Sequence, residues 1–241
     1  MAVSLSVVVP VKDEAENVGP LAREIATAVA GESAEIIFVD DGSGDGTAEA
    51  LLALKAELPA LRVIRHAANR GQSRAVRTGV RAARAQIVVT LDGDGQNDPA
   101  DIPKLLAELR KHDKDGRLAM VSGVRARRHD TLSRKLASRA ANSIRRRLLK
   151  DDAVDSGCGL KAFRREAYLA LPYFDHSHRF LISLMIREGY EVGYVEVNHR
   201  PRLHGTSKYT NFNRMMVGID DLLGVRWLQR RLRGRTEAKE L

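Results

Sequence analysis

Apolar residues in the first half of this chain come in short runs, and each run stops at charge or at a turn. Ser4 to Pro10, Glu35 to Val39, Leu61 to Arg65 and Ala85 to Leu91 have the length and β-branched content of buried strands. A helical pattern follows each of them. It runs to about Ala30 after the first, past Thr47 after the second, from Asn69-Arg70-Gly71-Gln72-Ser73 through Val76, Val80 and Ala83 after the third, and from Pro99 to about Lys111 after the fourth. Strand then helix, four times over, predicts a mainly parallel sheet flanked by helices, because parallel neighbours need a crossover long enough to hold one. The expected class is α/β.

Beyond Leu118 to Gly123 the pattern changes. Leu132, Leu136, Ala140, Ile144 and Leu148 recur every four positions, and Arg134, Lys135, Arg139, Arg145, Arg146, Arg147 and Lys150 take the other faces, which predicts a basic amphipathic helix over 130–150. A turn at Asp155 to Gly159 leads to a short strand and a helix. His178 to Glu188 reads as a further helix, and Tyr190 to Val197 as an alternating strand. The stretch from His199 to Tyr209 is a loop with three permanent cations. From Asn211 to Arg233 the chain reads as helical with a break near Gly224; Phe212, Met215, Met216, Ile219, Leu222, Leu223, Trp227 and Leu228 form its apolar side. The organisation expected is one catalytic-sized domain over 1–209 and C-terminal amphipathic helices in a tail over 210–241.

Composition narrows the class of partner. A chain of 241 residues, 44% hydrophobic, can bury a full core. No apolar run approaches the ~20 residues that span a bilayer, and no basic, then apolar leader opens the chain, so a cytoplasmic location is expected. The single cysteine, Cys158, excludes an internal disulfide and reads as a small buried hydrophobe. Forty Lys and Arg against 31 Asp and Glu leave a net charge of +9, concentrated between Arg125 and Lys150 and between Arg226 and Arg235. Two basic amphipathic segments suit an anionic membrane surface, with Trp227 at headgroup depth; packing on the domain or a homo-oligomer contact is the other use for the tail. Nucleic acid is not the expected partner: there is no helix-turn-helix signature and there are no stacking aromatics on a recognition strand.

Candidate chemistry gathers at the strand ends. The fourth strand stops at Asp92-Gly93-Asp94-Gly95-Gln96, two carboxylates one residue apart. Such a pair can hold a hard divalent cation that completes its shell with substrate phosphates, or can serve as the cap of the helix beginning near Pro99. The second strand stops at Asp40-Asp41, where carboxylates can accept from ribose hydroxyls or a base edge. The first strand lacks the G-x-G-x-x-G turn of a dinucleotide site, which argues against a nicotinamide cofactor. Backbone N–H groups opening the third helix, with Arg70 or Arg74, could meet a diphosphate. His178, His199 and His204 are not at metal-binding spacing and read as ordinary polar residues.

Taken in order, Val9-Pro10-Val11-Lys12-Asp13-Glu14, Val39-Asp40-Asp41-Gly42-Ser43, Asp92-Gly93-Asp94-Gly95-Gln96, Ser122-Gly123-Val124-Arg125 and Arg202-x-x-Gly205-x-Ser207-Lys208-Tyr209 resemble the inverting family 2 glycosyltransferases of GT-A (Rossmann-like) fold. The nearest branch glycosylates polyprenyl phosphates and includes the dolichyl-phosphate mannosyltransferases. The resemblance implies a UDP- or GDP-linked nucleotide-sugar donor, a polyprenyl phosphate acceptor, Mg²⁺ or Mn²⁺, and a peripheral enzyme at the inner face of the cytoplasmic membrane. Pro10, Lys12, Glu14, Val39 and Asp41 would hold base and ribose, with Lys12 standing where the family often has an aromatic residue. Asp92, Asp94 and Gln96 would meet donor and metal, Asp94 and Gln96 most directly; Gly93 replaces a frequent alanine, a minor change. Arg125, Arg202 and Lys208 would bind diphosphate and acceptor phosphate, and Arg134 and Ser138 fall at the family's acceptor-phosphate contacts. Asp155 resembles a residue proposed as base in relatives, and we expect it to organise the acceptor site. Arg200 could pair with the carboxylate of an acidic sugar. A soluble or glycan acceptor on the same fold is the alternative reading.

Overall fold

The computed structural model describes residues 2–111, 117–125, 145, 147–149, 151, 153–202 and 211–231, with backbone alone over 211–217. Seven strands, β1 (Leu5–Val11), β2 (Ala34–Asp40), β3 (Leu61–Arg65), β4 (Ile87–Thr90), β5 (Leu118–Arg125), β6 (Lys161–Arg164) and β7 (Glu191–Val197), form one sheet in the order β3-β2-β1-β4-β6-β5-β7. β1 is buried at all seven positions, as a central strand covered on both faces must be. Its side chains alternate between two cores: Leu5, Val7 and Val9 enter one, Val8 the other. The first core is closed by α1 (Ala15–Ala28), α2 (Thr47–Ala53) and α4 (Ile102–Lys111) through Leu21, Ile25, Leu51, Leu105 and Leu109. On the opposite face lie α3 (Gln72–Ala82), α5 (Arg165–Ala170) and α6 (Leu181–Arg187), contributing Val76, Val80, Ala167, Leu184 and Met185.

Two features of this topology position the site. β1 pairs in parallel with β2 on one side and β4 on the other, so the chain winds outward to β3 and then crosses back. That reversal opens a crevice at the carboxyl ends of β1 and β4, where open α/β sheets bind ligands. β6 is the second feature. It runs antiparallel to both β4 and β5, with Thr90 opposite Lys161, in a sheet whose other described pairings are parallel. An antiparallel strand has its amino end beside the carboxyl end of its neighbour, so the loop entering β6 is delivered next to Asp92. The expectation of a mainly parallel sheet holds, with this one reversal.

The C-terminal helix α7 (Asn211–Arg231) is continuous, against the break expected at Gly224. A glycine in a helix costs about 1 kcal/mol relative to alanine, whereas fully burying a valine contributes about 1.5–3 kcal/mol, and the next residue, Val225, is fully buried. Leu222 and Leu228 join the same core, Arg187 Nε donates to the Leu228 carbonyl at 3.1 Å, and Gln229 Nε2 to that of Leu149 at 2.8 Å. Ile219, Leu223 and Trp227 point the other way and are 46–57% exposed. No helix among the described residues is long and apolar enough to cross a membrane.

Candidate active site

The loop after β4 keeps its carboxylates for something other than helix capping. Asp98 caps instead, its side chain accepting from the Ala100 N–H at 3.0 Å with Pro99 at the first helical position. Asp92 and Asp94 are thereby left to face the crevice. The Asp92 N–H donates to Asn97 Oδ1 at 3.0 Å, and Asp92 Oδ1 accepts from Gln72 Nε2 at 2.8 Å, which ties β4 to the start of α3. The rest of the carboxylate rests on Gly159 of the loop entering β6: a Cβ there would come within 2.2 Å of Asp92 Oδ2. Burial first, and then the charge of Asp94, push the Asp92 carboxyl above the usual aspartate range, against the pull of Lys161, Gln72 and Arg125. A buried carboxylate with a second one beside it is what a divalent cation would neutralise, so the residues present fit one held mainly by substrate phosphates.

Asp94 is bridged to the far side of the crevice. Its Oδ2 accepts from Arg202 Nη2 at 2.6 Å and its Oδ1 from the Gln96 N–H at 3.1 Å, while Arg202 Nη1 lies 4.0 Å from Glu14 Oε1. Arg125, at the end of β5, grips Asp155 with two parallel bonds of 2.7 and 2.8 Å; the Gly157 N–H also donates to Asp155 at 3.3 Å. Asp155 thus fixes the turn at 155–157 through a bidentate ion pair. On the β2 side, Asp41 accepts from the N–H groups of Arg70 and Gly71 at 2.8 and 2.7 Å and contacts His66 Nδ1 at 2.7 Å. Lys12 Nζ donates to the Gly42 carbonyl at 3.0 Å, joining the ends of β1 and β2.

Pro10, Lys12, Glu14, Asp41, Asp92, Gly93, Asp94, Gln96, Arg125 and Arg202 line one cleft of about 360 Å³, with Asn69, Gly71 and Gln72 on its α3 side. Asp155 stands behind Arg125, and Arg134, Ser138 and Lys208 lie outside the described residues. Four expectations need correction. Val39 is fully buried in the core beneath α3, so its side chain supports the cleft and cannot touch a ligand there. The N–H groups of Arg70 and Gly71 are taken by Asp41, and the Arg74 guanidinium sits 4.4 Å from the centre of the Tyr173 ring, so these three groups are already engaged. Arg200 pairs with Glu24 at 2.7 Å and Asp98 at 2.6 Å, where it staples its loop to α1 and is unavailable to a sugar. Gly93 is no minor change, since a Cβ there would lie 2.5 Å from Val11 Cγ1.

Sequence reading missed Gln72, Asn97 and Lys161 as parts of the site. Lys161 alone carried a signal, a charge inside the otherwise apolar run Leu160 to Phe163. Gln72 and Asn97 carried none, because each acts through a partner that folding brings to it.

A Rossmann-like mixed sheet with an acidic pair at the β4 end, a second acid at the β2 end and arginines opposite defines the class of GT-A nucleotide-sugar enzymes. The model of Glycosyl transferase family 2 matches residues 6–171, and the chain belongs to that family. It is 35% identical over 235 residues to dodecaprenyl-phosphate galacturonate synthase of Rhizobium johnstonii, covering 95% of this chain and 68% of that protein. It is 37% identical over 224 residues to undecaprenyl-phosphate 4-deoxy-4-formamido-L-arabinose transferase of Pectobacterium carotovorum, covering 91% and 66%. The chain spans about two thirds of the length of these relatives. Among solved structures, glucosyl-3-phosphoglycerate synthase of Mycobacterium tuberculosis with Mn²⁺, UDP and phosphoglyceric acid superposes with a TM-score of 0.69 at 16% identity, over 95% of this chain and 79% of that one. Mannosyl-3-phosphoglycerate synthase of Rubrobacter xylanophilus gives 0.68 at 18%, over 98% and 77%. These two share the fold.

Proposed function

We propose that this family 2 glycosyltransferase moves a sugar from a UDP- or GDP-linked donor to a polyprenyl phosphate at the cytoplasmic membrane face. The observation that carries the reading is the convergence of the strand-end acids Asp41, Asp92 and Asp94 with Arg125 and Arg202 on a single cleft. The two relatives, whose names give polyprenyl-phosphate products or acceptors, supply the acceptor class. Asp41, Lys12 and Glu14 would hold the nucleoside, Asp92 the donor near its reacting carbon, and Arg202 the diphosphate. A divalent cation, held by Asp94 and Gln96 with Asp92, would neutralise negative charge on the departing diphosphate.

The acceptor's phosphate oxygen attacks the anomeric carbon as the bond to the donor's β-phosphate oxygen breaks, and the electron pair leaves with the nucleoside diphosphate. A phosphate monoester has a second pKa of ~6 and is largely ionised at neutral pH, so no side chain need remove a proton. This agrees with Asp155 being engaged by Arg125. The body over 1–209 would do the chemistry and the tail over 210–241 would seat it on lipid. Ile219, Leu223 and Trp227 are spaced by four on the outward face of α7, with Arg226, Arg230 and Arg231 beside them to meet anionic headgroups.

The test is transfer of radiolabelled sugar from a panel of UDP- and GDP-sugars to undecaprenyl phosphate with Mg²⁺ or Mn²⁺. Product is expected with at least one donor and is expected to be lost in Asp94→Asn. No lipid-linked product from any donor, with transfer to a soluble acceptor instead, would refute the acceptor assignment.

A further inference from the structure

His66, the residue after β3, is given no role by the reading above, yet its ring stands between the cleft and α3. Nδ1 lies 2.7 Å from Asp41 Oδ1, and Nε2 lies 2.9 Å from Thr78 Oγ1 on α3. Ring and carboxylate are both nearly enclosed, at 14% and 5% exposure. Asp41 sets the tautomer: an ionised carboxylate only accepts, so Nδ1 carries the proton, whereas the Thr78 hydroxyl can either donate to Nε2 or accept from it. A carboxylate offers about four acceptor positions, and among the described residues three of those on Asp41 are filled, all from the segment 66–71. Oδ1 takes the His66 ring and the Arg70 N–H at 2.8 Å, and Oδ2 takes the Gly71 N–H at 2.7 Å. That segment is packed directly on the end of β2, where Gly42 has φ +72° and a Cβ would meet Ala68 C and Asn69 N at 2.9 Å.

Resting on the transferase reading above, we infer that His66 is a positioning residue for the donor nucleoside, holding Asp41 so that Oδ2 alone keeps an acceptor position for a ribose hydroxyl or a base N–H. Asp41 lines the donor cleft, and a carboxylate free to turn about its last bond would meet a ligand in several orientations. The two backbone N–H groups by themselves would leave each oxygen one open position. The His66 ring fills the one on Oδ1, and Thr78 on its far side keeps the ring from turning. A group that recognises a ligand is fixed in this way when its own partners are held by packing and further hydrogen bonds, and here they come from the ends of β2 and β3 and from α3. His66 itself touches no ligand in this arrangement, so its effect is on binding of the nucleoside and not on the bond-breaking step.

Two substitutions on the full chain separate this role from a merely structural tie between β3 and α3. An asparagine amide can place its nitrogen where Nδ1 stands, keeping the bond to Asp41 and giving up Thr78; a glutamine amide reaches instead to where Nε2 stands, keeping Thr78 and giving up Asp41. UDP and GDP are titrated calorimetrically with Mn²⁺, and donor KM and kcat are measured with whichever donor the wild-type chain uses. Loss of a charge-assisted hydrogen bond predicts that His66→Gln weakens nucleotide binding and raises donor KM on the order of tenfold. Its kcat at saturating donor is expected to stay within about threefold of wild type, and His66→Asn is expected to restore binding and KM to within the same factor. The reverse order, with Gln restoring and Asn failing, would overturn the inference and assign the ring to the Thr78 tie. So would equal loss in both variants, wild-type binding in both, a fall in kcat with donor KM unchanged, or failure of both to fold. If His66→Gln alone fails to fold, His66→Asn still decides, since binding about tenfold weaker than wild type in that variant would overturn the inference. Each of these outcomes leaves the transferase reading standing, whereas a wild-type chain that binds neither nucleotide and transfers no sugar would overturn both.

Discussion

The seat of Asp92 on Gly159 gives a perturbation whose size can be worked from the structure. In Gly159→Ala the new Cβ would lie 2.2 Å from Asp92 Oδ2, 2.4 Å from Cγ and 2.7 Å from Oδ1, so the whole carboxylate group is in the way. Restoring ordinary contact distances near 3.5 Å requires a displacement of about 1 Å. Asp92 cannot yield without losing the Gln72 bond or leaving the donor position, and the loop cannot yield without disturbing the Asp155–Arg125 pair. A misplacement of that size in a reacting site costs roughly 100-fold in rate, about 2.7 kcal/mol in the barrier, and the overpacking adds about 1–3 kcal/mol of lost stability. Gly31→Ala is the control, because a Cβ there meets nothing within 4 Å; it is expected to leave kcat/KM unchanged and to stabilise by up to about 1 kcal/mol. The assay is sugar transfer kinetics beside thermal unfolding of both variants. If Gly159→Ala retained kcat/KM within about threefold of wild type, the claim that Asp92 is positioned by that contact would fail.

Asp92→Asn is expected to unlink stability from activity. The folded-state pKa of Asp92 is raised, so the native state binds its proton more tightly than the unfolded chain, and the residue destabilises the fold increasingly as pH rises through that raised value. Removing the charge should raise the unfolding midpoint at neutral pH, with the gain shrinking towards acid pH as wild-type Asp92 becomes protonated, while transfer activity falls; a midpoint that drops at pH 7 would contradict the assignment. On the outward face of α7, replacing Ile219, Leu223 and Trp227 together by serine should cut flotation with anionic vesicles at least about tenfold, since each loses partial apolar burial in lipid. Thermal stability should change little, because these side chains leave the core cluster untouched, and unchanged flotation would remove the membrane assignment of that face.

The chain's order along one dimension determined a good deal. Runs such as Leu5 to Pro10 and Ile87 to Leu91 are apolar at every position but one, Ser6 and Thr90, which only a strand covered on both faces tolerates, so the layered α/β fold was legible from the sequence pattern. The strand-end acids were legible for the same reason: Asp41, Asp92 and Asp94 follow at once on buried strands, and parallel strands align their carboxyl ends at one edge of the sheet. Tertiary structure decided what those residues face. The reversal of β6 delivers Gly159 and Lys161 to Asp92 across about 70 residues of sequence, a pairing no local pattern encodes. Arg125 and Asp155, Arg202 and Asp94, and Arg200 and Asp98 are likewise chosen by geometry, since any arginine of this basic chain is chemically fit for any of those acids. Residue type and periodicity fix which face of an element is buried; which charges meet across the cleft depends on strand order and direction, and those are set by the packing of the whole sheet.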